Sequence, residues 1–362
     1  MPPKILVINP GSTSTKVAFF CEETICFDAE VRHPRESIDR FSTVMEQKDF
    51  RSTAVMGLIK EELDKGLPDM VVGRGGLLHA IPGGPYSIND EMISDLTSGR
   101  YGVHPCNLGA IIARDLAEKW GVPSMIMDSV VTDEMDPVAK ITGLPEIKRR
   151  SVFHALSQRG VARSISAKLK IKYEESKFIV AHMGGGISIG AHRDGKVVDV
   201  INALDGEGPF SPERSGALPV LPVLELVESG KYSFAEMRKT ITSRCGVLGL
   251  LKTNDMREVE KRMDNGDHEA KLGFEALVYN ISKHICSFIP ALMKNDSQKR
   301  PVNAVILTGG VAKSQRLVDS VAEIVDFIAP VQVVTGLEEM EVMGRGGLAV
   351  IKGELTPQIY KS

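Results

Sequence analysis

Residues 4–20 read KILVINPGSTSTKVAFF: an apolar strand over Lys4–Asn9, a hydroxyl-rich turn over Gly11–Thr15, and a second apolar run over Lys16–Phe20. A polar turn at Glu22 and Glu23 leads into a third extended stretch, Thr24–Val31. The pattern returns in altered form at residues 177–200. There Phe178–His182 is an apolar strand, Gly184–Gly186 a glycine turn and Ile187–Ala191 a second strand. A tight turn at Arg193–Gly195 then gives way to a third strand, Lys196–Val200. Two strand–turn–strand–strand units half a chain apart predict a duplicated core. A Gly/Ser loop in each half predicts two phosphate-contacting lips on a common cleft.

Between and after these units, strands alternate with helices. Val71–Gly73 reads as a short strand ending at Arg74, and Met125–Asp128 as a strand ending on an acid. His104–Trp120 has one apolar face, through Leu108, Ile111, Ile112 and Leu116, and reads as a helix. His154–Leu169, Met256–Met263, Lys271–Leu292 and Lys313–Ile324 read the same way. Ala304–Leu307 is a strand running into Thr308-Gly309-Gly310. A last helix over about Glu338–Lys352 is weakened by Gly344, Gly346 and Gly347. Alternation in two related halves predicts two α/β domains with a ligand cleft between them. The expected division is 1–130 plus 338–362 against 131–337.

At 362 residues the chain can bury a large core. A net charge of −3 gives no bulk attraction to nucleic acid or membrane, so neither is expected as a partner. No apolar run approaches the roughly 18 residues of a membrane helix. The N-terminus enters a strand without the layout of a signal peptide. The five cysteines are odd in number, scattered and not in metal spacing, and read as reduced cytoplasmic thiols.

Five motifs carry chemistry. Asn9-Pro-Gly-Ser-Thr-Ser-Thr-Lys16 sets backbone donors near Gly11, four hydroxyls (Ser12 and Ser14 among them) and Lys16 just past a strand. Such a turn can hold phosphate oxygens. His182-Met-Gly-Gly-Gly-Ile-Ser188 contains Gly184, Gly185 and Gly186, which are hard to justify by packing and let a backbone approach a ligand. The loop Asp205–Gly216 presents Arg214, whose fork suits planar anions. The segments around Asp255, Met256 and Arg257, and around Gly309 and Gly310, place small or polar groups at helix starts.

Taken together, INPGSTSTK, GRGGLLHAIPGG, FHAL, VAHMGGGISI, NALDGEGPFSPERSG and ILTGG closely resemble the acetokinase family, within the sugar kinase/Hsp70/actin superfamily. The resemblance covers essentially the whole chain. It implies duplicated ribonuclease H-like, actin-like ATPase domains, and phosphoryl transfer between ATP and a short carboxylic acid with Mg²⁺, giving acyl phosphate and ADP. It implies a metal-associated Asn9, a nucleotide-phosphate Lys16 and a carboxylate-holding Arg74. His104 matches a cleft histidine and Asp128 an active-site aspartate. His154 and Arg214 match residues that stabilise the transferring phosphoryl, and His182–Gly186 the second phosphate loop. Asp255–Arg257 matches an adenosine-contacting segment, and Gly309–Lys313 the other wall of the nucleotide site. The second metal-associated acid is Glu338 or Glu339, with Glu338 preferred. A homodimer is also implied.

Two departures bear on specificity. Gly185 stands where acetate kinases have an asparagine, and Gly75 and Gly76 follow Arg74 where they have bulky valines. Loss of those side chains predicts a deeper acyl pocket that favours a longer or branched acid without naming it; the resemblance points to butyrate or isobutyrate, with propionate or acetate as the alternative. Two extra methylenes are worth at most about 1.6 kcal/mol, which permits a preference and not exclusion. A carboxylate is ionised at neutral pH and needs no general base, so Asp128 is expected to hold Mg²⁺ or its waters, or to orient Arg214. A polyphosphatase would need a long basic channel that the charge does not suggest. An actin- or chaperone-like ATPase would need insertions for which the chain has little room.

Overall fold

A computed structural model describes residues 2–293, 300–337 and 339–362. The chain forms two compact units: Met1–Asp133 with Ala155–Ser157 and Leu337–Ser362, and Glu134–His154 with Gln158–Gly336.

In the first unit, β1 (Lys4–Pro10), β2 (Ser14–Cys21) and β3 (Thr24–Arg32) form an antiparallel meander. β4 (Met70–Gly73) runs parallel to β1, and β6 (Ser124–Met127) parallel to β4; β5 (Pro85–Ser87) lies antiparallel to β6. In the second unit, β7 (Lys177–Met183), β8 (Ile187–Arg193) and β9 (Lys196–Val200) repeat the meander. β10 (Ala304–Thr308) lies parallel to β7, and β11 (Val331–Val334) parallel to β10. β12 (Gln358–Ile359) closes the far edge of the first sheet, whose order is β12-β5-β6-β4-β1-β2-β3; the second is β11-β10-β7-β8-β9. The run β6-β4-β1-β2-β3 matches β11-β10-β7-β8-β9 strand for strand, so the core is duplicated.

The central parallel strands are buried on both faces: Ile5–Ile8 of β1, all of β4 and all of β10. That explains their unbroken apolar runs. Loops at the carboxyl ends of such strands are where ligands bind in α/β sheets. Asn9 lies near the end of β1, Arg74 and Asp128 just past β4 and β6, and Gly184 and Gly309 just past β7 and β10.

Several expected elements shift, each for a local reason. The helix expected from His104 begins at Asn107, because Pro105 and Cys106 occupy the turn before it. β6 stops at Met127, since Asp128 takes a left-handed φ of 41°. The expected Lys271–Leu292 helix is two helices, His268–Cys286 and Ile289–Met293, parted just before Pro290. The longer one is core: Phe274, Leu277, Ile281 and Ile285 are buried. Ser314 caps the helix Gln315–Val325, its hydroxyl accepting from the Leu317 amide. The reading of five reduced thiols fails at Cys21 and Cys26, which are disulfide-bonded; the β2–β3 turn folds one back on the other, with Cα atoms 5.7 Å apart. Cys106, Cys245 and Cys286 are free. Among the described residues no helix is long and apolar enough to cross a membrane. The helix Val220–Glu228 buries no residue, and Val220 and Leu221 are 70% and 69% exposed.

The last helix, Glu339–Ile351, survives its glycines because they are its packing face. A Cβ on Gly344 would lie 2.6 Å from the Phe20 ring, and one on Gly347 would lie 2.9 Å from Ile5 and Val72. Gly57, on the exposed face of the helix Lys48–Asp64, has nothing within 4 Å. Gly57→Ala therefore raises the thermal midpoint, by removing roughly 0.5–1 kcal/mol of glycine penalty. Gly344→Ala lowers it, by overpacking worth about 1–3 kcal/mol. Calorimetry of the two variants checks the opposite signs.

Candidate active site

In the first unit the turn Gly11–Ser14 is closed by the Gly11 amide donating to Ser14 O at 2.8 Å. Beneath it lies Arg51, fully buried on the helix Lys48–Asp64. Its Nη1 donates to Gly11 O (2.9 Å), Ser14 O (3.0 Å) and Thr15 Oγ1 (3.1 Å), and its Nη2 to Ser12 O (3.1 Å). Nε donates to Gln47 Oε1 at 3.0 Å. Thr15 Oγ1 also meets His33 Nε2 at 2.9 Å. The turn's carbonyls are thus drawn inward. The amides of exposed Ser12 and Thr13 meet no acceptor among the described residues, which suits an anion. No carboxylate pairs with Arg51 among the described residues, and burial pulls its pKa down.

Asn9 and Arg74 meet over the last helix. Asn9 Nδ2 donates to Glu339 Oε2 at 3.1 Å, and Arg74 Nη1 lies 2.6 Å from the same oxygen. The preferred Glu338 falls outside the described residues; Glu339 is the acid placed against Asn9. Lys16 is exposed on β2, directly across from Asn9. His104 Nδ1 accepts from the Cys106 amide at 3.2 Å. Burial, then Arg74 and Arg51, hold its pKa below the ordinary value, so His104 is a neutral imidazole at pH 7. Burial pushes the Cys106 thiol up to about 11, against the pull of Arg74. Asp128 is buried; its Oδ1 accepts from the Gly84 amide at 2.8 Å while its own amide donates to Gly84 O at 3.0 Å. A left-handed aspartate is uncommon and points to a constrained role. Gly75 and Gly76 do not deepen a pocket. A Cβ on Gly75 would lie 2.9 Å from Ser129, and one on Gly76 would lie 2.6 Å from Asn107 Cα. These glycines let the loop after β4 pack against its neighbours.

In the second unit the Gly184 amide donates to Gly186 O at 3.0 Å. Gly185 O accepts from Ser211 Oγ (2.6 Å) and from the Glu213 amide (3.2 Å). The Arg214 guanidinium lies where a Cβ on Gly186 would be, and its Nη1 donates to Ala203 O at 2.8 Å. Burial lowers its pKa, against the raising effect of Glu213. His154 stacks on His182 with ring centroids 4.0 Å apart, and its Nδ1 lies 2.8 Å from Ser188 Oγ. A cavity of about 700 Å³ is lined by Gly184, Gly185, Asp255, Met256, Arg257 and Gly310, together with Glu213 and Asn254. Its volume is that of a small-molecule site. Asp255 caps the helix Met256–Asp264, and the Arg257 side chain holds its carboxyl down to about 2. Gly309 does not line the cavity; with φ at 92° it forms the turn after β10. Among the described residues no cluster of three or more His, Cys, Asp or Glu could hold a metal.

A model of the acetokinase family matches residues 144–348. The chain belongs to the acetokinase family. A relative from Maridesulfovibrio salexigens, named as a probable butyrate kinase, is 78% identical over 362 residues, all of both chains. One of the same name from Clostridium botulinum (strain Alaska E43) is 43% identical, covering 99% of this chain and 100% of its own. The fold is that of the acetate kinase of Porphyromonas gingivalis (TM-score 0.74, 21% identity, 96% of this chain and 100% of that one). It is also that of the enzyme from Entamoeba histolytica (TM-score 0.75, 15% identity, the same coverage).

In this acetokinase chain, sequence reading missed Arg51, Gln158, Glu213 and Asn254. Arg51 sits in KDFRSTAV, which carries no local signal of a buried residue. Ser188 closes a motif that was read for its glycines alone. Arg51 and Arg74 both disfavour the imidazolium of His104. Arg51→Met therefore raises the His104 pKa, whereas Arg51→Lys, which keeps the charge, leaves it nearer wild type. NMR titration of the His104 ring checks this; an unchanged titration in Arg51→Met would show that the charge does not reach it.

Proposed function

We propose that this chain is a butyrate kinase, transferring the terminal phosphoryl group reversibly between ATP–Mg²⁺ and butyrate or isobutyrate by direct in-line transfer. The observation that carries the reading is the full-length 78% identity to a relative named as a probable butyrate kinase. Since Gly75 and Gly76 open no space, the choice of acid rests on that relationship.

The geometry supports the chemistry. The acceptor carboxylate is already ionised, so the obstacle is repulsion between two anions rather than removal of a proton. In the first unit, Arg74 would hold the carboxylate, in exchange for its contact with Glu339. The amides of Ser12 and Thr13, with Ser14, Lys16 and the buried charge of Arg51, would receive phosphate oxygens. In the second unit, the cavity beside Asp255–Arg257 and Gly310 would take the nucleoside, and Gly184–Gly186 and His182 its phosphates. Arg214 and His154 would stabilise the transferring group. Asp128, fixed by Gly84, would orient its surroundings rather than act as a base.

Mg²⁺ keeps several waters and takes few protein oxygens. Asn9 turns its amide N–H toward Glu339 and leaves Oδ1 for other partners; Asn9 Oδ1 and the Glu339 carboxylate would hold the ion, in part through its waters. When bound, Mg²⁺ supplies neutralisation of phosphate charge. We place the protein in the cytoplasm, where ATP is available, as a homodimer; the exposed apolar side of Val220–Glu228 is free to take part in that pairing.

Hydroxylamine trapping with ATP–Mg²⁺ and acetate, propionate, butyrate, isobutyrate and valerate tests the reaction. The expected kcat/KM peaks at butyrate or isobutyrate; a peak at acetate removes the substrate assignment and keeps the kinase. No product with any acid, alongside phosphate release, points to an ATPase. Arg214→Ala lowers kcat by roughly 10²–10³ while ATP affinity changes little. If the variant loses only ATP binding, Arg214 belongs to the nucleotide site instead.

A further inference from the structure

A chain of buried polar side chains runs through the second unit and ends on His154. Tyr173 Oη lies 2.8 Å from His192 Nδ1, and His192 Nε2 lies 3.2 Å from Gln158 Oε1. Gln158 Nε2 donates to Ser188 O at 3.1 Å and to Ser188 Oγ at 2.9 Å. Ser188 Oγ in turn lies 2.8 Å from His154 Nδ1. Tyr173 is 5% exposed, and Gln158, Ser188 and His192 are 0% exposed. Proton positions in such a chain follow from which atoms can only accept.

The fixed point is the carbonyl of Ser188. It can only accept, so the Gln158 amide must present Nε2 to it and Oε1 to the other side. His192 Nε2 faces that Oε1 and therefore carries a proton. At the other end, Ser188 Oγ accepts from Gln158 Nε2 and from the His154 backbone amide at 3.5 Å, which takes up both lone pairs and leaves its own hydrogen to donate. The acceptor in front of it is His154 Nδ1. A neutral His154 then carries its proton on Nε2. Gln158 projects from the helix Ala155–Leu169, and strand β8 is built to receive it. A Cβ on Gly190 would collide with Gln158 Oε1, so a glycine stands mid-strand in β8, where it otherwise only weakens the sheet.

We propose that Gln158 and Ser188 are positioning residues that hold His154 as the Nε2–H tautomer, so that it meets an incoming phosphoryl oxygen as a hydrogen-bond donor without first taking up a proton. The stack on His182 gives this arrangement its purpose. Two imidazolium rings at 4.0 Å repel, so a donor that needs no added charge serves better than one that does. The role in phosphoryl transfer rests on the kinase reading above; the tautomer rests on hydrogen-bond geometry alone.

Nitrogen-15 NMR of the histidine rings in the full-length, ligand-free protein separates the two. The expected spectrum at neutral pH shows His154 protonated at Nε2 and bare at Nδ1. A His154 protonated at Nδ1 overturns the proposal, whatever the enzyme does. In Gln158→Met the two tautomers mix, and kcat falls roughly tenfold to a hundredfold while KM for ATP–Mg²⁺ and for the acid hold within about twofold. A folded Gln158→Met with wild-type tautomer and wild-type kcat also overturns it. Should Gln158→Met not fold, Ser188→Ala, which deletes the hydroxyl facing Nδ1, is read the same way. An Nε2–H spectrum in a protein that phosphorylates no acid upholds the relay and removes the kinase reading.

Discussion

A buried guanidinium that faces carbonyl, hydroxyl and amide oxygens instead of a carboxylate organises the first unit. Taking a charge out of water is expensive unless it is paired or fully hydrogen-bonded. Arg51 meets the second condition through Gly11, Ser12, Ser14, Thr15 and Gln47, which leaves its positive charge uncancelled within the described residues. Two consequences follow. The turn is held by its carbonyls, so the amides of Ser12 and Thr13 are left for a ligand. The charge also adds to that of Arg74, behind the larger effect of burial, in holding the His104 pKa below its ordinary value. An anion at this turn would supply the counter-charge that the protein withholds.

Glu339 ties this arrangement to the end of the chain. It brings the first turn of the last helix onto both Asn9, near the end of β1, and Arg74, after β4. The helix can come so close because its glycines, not bulky side chains, face Phe20, Ile5 and Val72. The same glycines that weaken a helix in isolation therefore position the acid. Glu339 Oε2 approaches one nitrogen of the Arg74 guanidinium, Nη1, so under the proposed function the acceptor carboxylate would compete with it for Arg74.

Much of this was legible in the sequence. Both meanders, the strands β4, β6 and β10 and the duplication follow from apolar runs broken by Gly, Ser and Asn turns, because local chemistry decides such elements. What stayed hidden was set by contacts distant along the chain. Arg51 reaches residues 36–40 positions earlier in the chain. Glu339 meets Asn9 across 330 positions of the chain, a contact that composition does not contain. Gly75 and Gly76 were visible as glycines, yet whether a missing side chain leaves a void or admits a neighbour depends on Ser129 and Asn107. Cys21 and Cys26 look scattered on paper and become partners only once the hairpin folds.

The two loops solve one problem by different means. In each, carbonyls are drawn inward by donors from elsewhere in the same unit, which commits the backbone before any ligand arrives. In the first the donor is the charged Arg51. In the second the donors are the Ser211 hydroxyl and the Glu213 amide, both neutral, acting on Gly185 O. Positive charge at the second loop comes instead from Arg214, whose guanidinium occupies the space left by the missing side chain of Gly186. The group that shapes this loop is thus distinct from the group that carries its charge, and Arg214 is itself tied through Nη1 to Ala203 O. In the first loop, shape and charge reside in one buried side chain, Arg51.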